Sequence, residues 1–167
     1  QPESKIPTPN LNRLASEGMR FSDAHSGSAV CTPTRYGVIT GRYCWRSSLK
    51  RGVLGGYSSH LIEPERPTVA SVLKSAGYQT ACIGKWHLGM DLPRKKGVMD
   101  WAAPIQNGPL ANGFDYFWGV TASLDFPPYV WVENDHFTAP ADQEFAGGKF
   151  PGYLRPGEIA DGFVHEQ

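Results

Sequence analysis

The stretch Pro67-Thr68-Val69-Ala70-Ser71-Val72-Leu73-Lys74-Ser75-Ala76-Gly77-Tyr78-Gln79-Thr80-Ala81-Cys82-Ile83-Gly84-Lys85-Trp86-His87-Leu88-Gly89 decides the fold class. Its first half sets Val69, Val72, Leu73 and Ala76 at helical spacing, with Gly77 as the stop, and predicts a helix over 68–76. Residues 78–83 form a short apolar run that predicts a buried strand. A helix feeding a strand is the step from which α/β layers are built. In an extended segment residues two apart point the same way, so Lys85 and His87 are expected to project together from the strand's end. Ligand sites in open α/β sheets gather at the carboxyl ends of strands. There a lysine can hold an anion and a histidine can move protons near neutral pH. Taken singly, each also suits a plainer role, a solvated lysine and a hydrogen-bonded histidine.

Upstream lies Cys31-Thr32-Pro33-Thr34-Arg35-Tyr36-Gly37-Val38-Ile39-Thr40-Gly41-Arg42. Pro33 suits a helix's first turn and Gly41 the position past its end, which predicts about two turns of helix between them. Cys31 then sits at or beside the N-cap, and Arg35 follows four residues on, on the same face. Free backbone N–H groups and the helix dipole favour negative charge there. Arg35 adds a planar fork of donors suited to sulfate, phosphate or carboxylate. An isolated Cys-x-Pro-x-Arg would also suit a structural cysteine and a surface arginine. A thiol phosphatase is disfavoured, because its loop needs five residues between Cys and Arg, not three.

Together the two motifs resemble the type I sulfatases, the formylglycine-dependent sulfuric ester hydrolases. Their signature is Cys-x-Pro-Ser/Thr-Arg, a hydrophobic pair before Thr-Gly, and a downstream Gly-Lys-Trp-His-Leu-Gly, here Gly84–Gly89. Thr34 stands where serine is commoner and keeps the hydroxyl. Thr8–Gly18 looks like the family's first helix, and Pro67–Tyr78 like the helix before its Lys-Trp-His strand. Gly113–Gly119 and Ser123-Leu124-Asp125-Phe126-Pro127-Pro128-Tyr129 are similar to bacterial members. The matched blocks run from about Thr8 to Asn134.

The resemblance implies a mechanism. In the family the motif cysteine is oxidised to formylglycine. One hydroxyl of its hydrate attacks the sulfur of a sulfate ester, and a covalent sulfated intermediate forms and then breaks down. A calcium ion holds the sulfate and activates the hydrate. Carried over, Cys31 is the nucleophile and, as formylglycine, a calcium ligand. Arg35 stabilises the hydrate. Lys85 binds sulfate oxygen, and His87 hydrogen-bonds the hydrate and takes a proton. Ser123 lies where members place a hydroxyl near the site, although an ordinary loop serine fits as well. The implied partners are a sulfated small molecule or glycan and a formylglycine-generating enzyme. The implied location is periplasmic or secreted. Two alternatives stay open: a phosphonate or phosphate ester hydrolase of the same superfamily, and a non-catalytic anion-binding relative with Cys31 unmodified.

The fold implied is α/β, a mixed central sheet flanked by helices on both faces, alkaline-phosphatase-like and incomplete. Members take calcium with adjacent aspartates after a first strand, and the chain holds no Asp-Asp pair. Residues 1–167 are therefore expected to be a partial N-terminal catalytic domain with its other metal ligands elsewhere, and to be poorly stable and inactive alone.

Sixteen basic residues balance sixteen acidic ones, which leaves no electrostatic case for nucleic acid. No apolar run approaches the roughly 18 residues of a membrane span. Of the three cysteines, Cys44 and Cys82 could pair or stay free, and Cys82 in an apolar strand reads better as a buried thiol. Near the N-terminus, Thr8 and Pro9 open an expected helix with Leu11 and Leu14 facing the core and Gly18 ending it. Met19–Phe21 reads as a short strand. Residues 43–66 read as a long loop that either shapes substrate entry or wanders over the surface. Beyond 91, clustered aromatics among prolines and glycines predict loops with one or two short strands.

Overall fold

The strand ahead of the Lys-Trp-His motif is β1, Ala81–Lys85, and it pairs parallel with β4, Tyr116–Val120. β4 continues antiparallel into β5, Val132–Glu133, and then β6, His136–Phe137, giving a mixed sheet of order β1-β4-β5-β6. The computed structural model describes residues 5–149 and 153–165. Three helices precede the sheet: α1, Pro9–Glu17; α2, Cys31–Thr40; and α3, Val69–Ser75. Two small antiparallel pairs complete the fold. One joins β2, Arg94–Lys95, to β3, Val98–Met99; the other joins β7, Gln143–Phe145, to β8, Gly157–Ile159.

Local chemistry explains the two helices that matter here. α3 opens on a reciprocal cap: Ser71 N–H donates to Thr68 Oγ1 at 3.0 Å, and Thr68 N–H donates to Ser71 Oγ at 2.9 Å. α2 has no side-chain cap at Val30. Its entry is fixed instead by Ser28, whose Oγ accepts from Val30 N–H and whose carbonyl accepts from Thr34 Oγ1 at 2.8 Å. Gly41 ends it at φ +66, the left-handed position expected of a glycine C-cap.

The core gathers Tyr36 from α2 and Trp86, Leu88 and Met90 from the segment after β1. Leu61, Ile62, Phe117, Val130 and Val132 pack with them. Trp86 is its largest fully buried side chain, and its indole N–H donates to Gly89 O at 2.9 Å. At Gly119 a Cβ would lie 1.7 Å from the Gly84 carbonyl oxygen, so β1 and β4 meet there only because position 119 is glycine.

Several expectations need correction. The strand begins at Ala81 rather than Tyr78 and runs through Lys85. β1 is an edge strand among the described residues, so Ile83 is 67% exposed rather than buried. α1 buries no residue, and Leu11 and Leu14 face outward because no described element packs on them. Met19–Phe21 takes no strand pairing. On α3 the buried residue is Ala70, whereas Val69, Val72 and Leu73 are exposed. The region beyond 91 holds the strands β2 to β8, more than expected, because all of them except the five-residue β4 have two or three residues, too few to leave a pattern in sequence. Cys44 and Cys82 are both free; Cys44 is buried, and Cys82 only half so.

Candidate active site

Cys31 is the first residue of α2, half-buried, where helical N–H groups lack partners within the helix. Arg35, one turn on, does not present its whole fork to an anion. Its Nε donates to Trp86 O at 2.8 Å and its Nη2 to Lys85 O. It thus ties the signature helix to the backbone of the Lys-Trp-His segment. Lys85 itself is half-buried at the carboxyl end of β1.

After Lys85 the backbone leaves the strand. Trp86 N–H and His87 N–H still bond across to Val120 O and Thr121 O, both at 3.0 Å, but His87 takes φ +58. That left-handed turn is uncommon for a non-glycine residue and costs of order 1 kcal/mol, so the surroundings must hold it. His87 is fully buried. Its Nε2 lies 2.8 Å from Leu54 O, and because a carbonyl only accepts, Nε2 carries the proton. Nδ1 is then the lone-pair nitrogen, and it is buried with no hydrogen-bond partner among the described residues. Burial pushes this imidazole below its ordinary value. The Lys85 and Arg35 charges push the same way, against the Leu54 bond and the Asp125 carboxylate. His87 is therefore neutral at pH 7, with a free basic nitrogen.

Residues that sequence reasoning missed complete the surroundings. Leu54 N–H donates to Thr32 Oγ1 at 3.2 Å, so the 43–66 loop bridges the signature helix and His87. His60 Nδ1 meets Asp91 Oδ2 at 2.8 Å and pins the same loop farther along. The 43–66 loop is thus held at Leu54 and at His60. Ser123 does not stand alone either. It sits beside Asp125, which pairs with Arg155 Nη1 at 2.6 Å. Phe126 sets its ring edge toward His87, with centroids 5.3 Å apart. Asp125 and Phe126 were visible in the 123–129 block, whereas Arg155 had no sequence signal. His136 pairs with Asp135 at the surface, and His165 packs in the Tyr129 aromatic cluster.

A cavity of about 620 Å³ lies at the opposite end of β1, lined by Lys74, Tyr78, Thr80, Asp115 and Tyr116. A Lys74–Asp115 ion pair of 2.6 Å occupies its polar lining. The chemistry-bearing side chains are at the carboxyl end instead, where a parallel pair places a ligand site.

The sulfatase family model matches residues 2–146, most of the chain. The chain belongs to the sulfatase family. The N-acetylgalactosamine-6-O-sulfatase of Bacteroides thetaiotaomicron is 41% identical over 133 residues, covering 80% of this chain and 25% of that protein. Human steryl-sulfatase is 40% identical over 121 residues, 70% of this chain and 20% of its own length. A solved Bacteroides thetaiotaomicron structure, described under the metabolism of multiple glycosaminoglycans, superposes with TM-score 0.67 at 36% identity. It covers 85% of this chain and 31% of its own. The structure of Ps i-CgsB gives TM-score 0.53 at 30% identity, covering 70% and 23%. The sulfatase chain thus spans about a quarter of the length of the curated relatives it matches. Its mixed sheet with helices is an α/β arrangement of the same fold, alkaline-phosphatase-like.

The two groups that this family implies fit the sulfatase site differently. A formylglycine at position 31 fits: the half-buried residue opens a helix that Thr32 and Leu54 link to His87, whose Nδ1 is orphaned and which feels the Lys85 charge. A calcium ion is not accommodated by the described residues alone, among which no group of three or more His, Cys, Asp or Glu side chains could hold a metal.

Proposed function

We propose that this chain carries the nucleophile side of a sulfuric ester hydrolase, acting on sulfate monoesters of a glycan or an aryl alcohol through Cys31 converted to formylglycine. The observation that supports this reading is the buried, neutral His87 with Nε2–H fixed on Leu54 and Nδ1 free, tied through Leu54 and Thr32 to the helix that Cys31 opens. Formylglycine supplies, as its hydrate, a hydroxyl nucleophile on a carbon that can later release it. The chain's own residues do the rest. Arg35 holds the Lys85–Trp86 backbone against α2, so the groups are in place before substrate arrives. Lys85 offsets charge that builds on the sulfate oxygens and the leaving alcohol. His87 Nδ1 accepts a proton at the site. Ser123 contributes through its contact with Asp125.

We place the segment in a longer catalytic domain. The coverage of relatives and the outward-facing Leu11, Leu14 and Ile83 both support this. No described helix is long and apolar enough to cross a membrane. A periplasmic or secreted setting and a formylglycine-generating partner belong to the same proposal.

The test uses full-length protein from a host with the maturation machinery. Mass spectrometry of the tryptic peptide Phe21–Arg35 is expected to show the aldehyde at position 31. Sulfate release from 4-nitrophenyl sulfate and glycan sulfates is expected, and Cys31→Ala should abolish it. An unmodified thiol without turnover would instead support the non-catalytic anion-binding reading. Faster cleavage of the matching phosphate esters would make the protein a phosphoester hydrolase.

A further inference from the structure

Arg155 reaches the site from the far end of the described chain and is held by unusually many contacts. Its backbone carbonyl accepts from the buried Tyr129 hydroxyl at 2.6 Å, and its N–H bonds to Asp125 O. Its guanidinium lies over Phe126, with the central carbon 3.7 Å from the ring centroid. Nη1 donates to Asp125 Oδ2 at 2.6 Å and to Asp125 O at 3.3 Å. Among the described residues, Nε and Nη2 take no hydrogen bond, so the outer edge of the fork still has donors to offer. The pair is not sealed away: the Arg155 and Asp125 side chains are 40% and 39% exposed. Phe126, the ring that Arg155 covers, meets the His87 ring edge-on. The charged pair therefore stands one aromatic ring away from the nitrogen assigned to proton transfer.

The chemistry of the pair selects its ligand. Carboxylate and guanidinium neutralise each other, so a second anionic substituent would meet repulsion from Asp125 as well as attraction to Arg155. Side by side, however, they present an acceptor and a donor. One hydroxyl group can donate to the first and accept from the second. Burial works to raise the Asp125 carboxyl, but the Ser123 hydroxyl, the Arg155 charge and its own backbone N–H outweigh it and hold it below the usual carboxylate value. It is an ionised acceptor at any working pH near neutral.

We propose that Asp125 and Arg155 form a sugar-reading pair that binds a hydroxyl of the saccharide whose sulfate is held at Lys85 and His87. This rests on the sulfatase reading and narrows it: the alcohol is a sugar rather than a flat aryl or steroid. Both side chains are positioned before binding, Arg155 by Phe126 and Asp125, and Asp125 by Arg155 and Ser123, so little ordering is needed on association.

The test measures kcat/KM of the full-length matured protein on a monosaccharide sulfate, on its single-deoxy analogues and on 4-nitrophenyl sulfate. For wild type, one deoxy position is expected to lower kcat/KM by at least about 100-fold, because the pair is left unmatched. In Asp125→Asn and in Arg155→Gln the same deletion should cost less than about threefold, whatever factor each variant loses on 4-nitrophenyl sulfate. A purely structural role would lower all esters by one common factor, and that outcome overturns the proposal. So does a wild type that prefers 4-nitrophenyl sulfate, or one for which no single hydroxyl matters. If matured wild type cleaves no sulfate ester at all, it is the sulfatase reading that fails, and this proposal goes with it.

Discussion

Removing the Arg35 guanidinium should loosen the joint between the signature helix and the Lys-Trp-His segment. Arg35 makes charge-assisted hydrogen bonds to the Trp86 carbonyl at 2.8 Å and to the Lys85 carbonyl. Bonds to a charged group contribute about 1.5–3 kcal/mol each, and a carbonyl left unpartnered adds to the loss. Arg35 is only half-buried, so water can replace part of what is removed. Arg35→Ala is therefore expected to cost about 3 kcal/mol, near the low end of the two-bond sum. Arg35→Lys keeps the charge but not the fork, so it can serve one carbonyl at best and should cost about half as much. Urea unfolding of the full-length protein followed by tryptophan fluorescence measures this directly, since Trp86 is both an acceptor and a core residue. With a slope of about 2 kcal/mol per molar, the Arg35→Ala midpoint should fall by about 1.5 M. Val38→Ala on the exposed side of the same helix is the control and should stay within about 0.5 kcal/mol of wild type. If Arg35→Ala is no more destabilising than Val38→Ala, the brace carries nothing and the reasoning is refuted.

Two further outcomes follow from the same region. The pH dependence of kcat/KM should have its acid limb below the ordinary histidine value of about 6.5, because burial lowers the His87 pKa and the neutral ring is the working form. Since the unfolded state then binds more protons, the contribution of His87 to stability is present above that value and is lost as pH falls toward the folded pKa; an acid limb above 6.5, absent in His87→Asn, would contradict the assignment. Gly119→Ala should abolish soluble expression, because its Cβ would sit 1.7 Å from a backbone oxygen of β1 that cannot swing aside; a soluble variant melting with wild type would show that β1 and β4 can separate without cost.

How much of this could be read from the sequence depended on the range of each signal. Pro33 and Gly41 bracket α2 because helix ends are local chemistry, and the structure starts and stops the helix within two residues of them. Thr68 and Gly77 bracket α3 in the same way. The faces of those helices were not legible. Leu11 and Leu14 have the right spacing for a core face, yet which face is covered depends on what packs there, and no described element covers α1. At the site, Cys31, Arg35, Lys85 and His87 were named from two motifs. What Arg35 bonds to was not predictable, because its acceptors lie 50 and 51 residues away. Alternation placed Lys85 and His87 on one side, but the strand ends at Lys85 and His87 turns to a positive φ, of which a non-glycine residue gives no warning. Arg155 is the extreme case: it lies 30 residues from Asp125, in a stretch that matched no motif.

These long-range bonds share a property that bears on how the site works. Few of the chemistry-bearing side chains are held by another side chain of the same motif. Arg35 rests on the carbonyls of residues 85 and 86, His87 on the carbonyl of Leu54, and Leu54 on the hydroxyl of Thr32. Backbone acceptors have few soft degrees of freedom, so each contact transmits position more faithfully than a pair of flexible side chains would. The circuit from α2 through the 54 loop to His87 and back through Arg35 closes on itself. A displacement of any one member must therefore strain the other contacts. That gives a physical reason for a left-handed, fully buried histidine to persist beside two cations: the closed set of contacts over-determines its place, and the orphaned Nδ1 is the one polar atom of the ring left for chemistry.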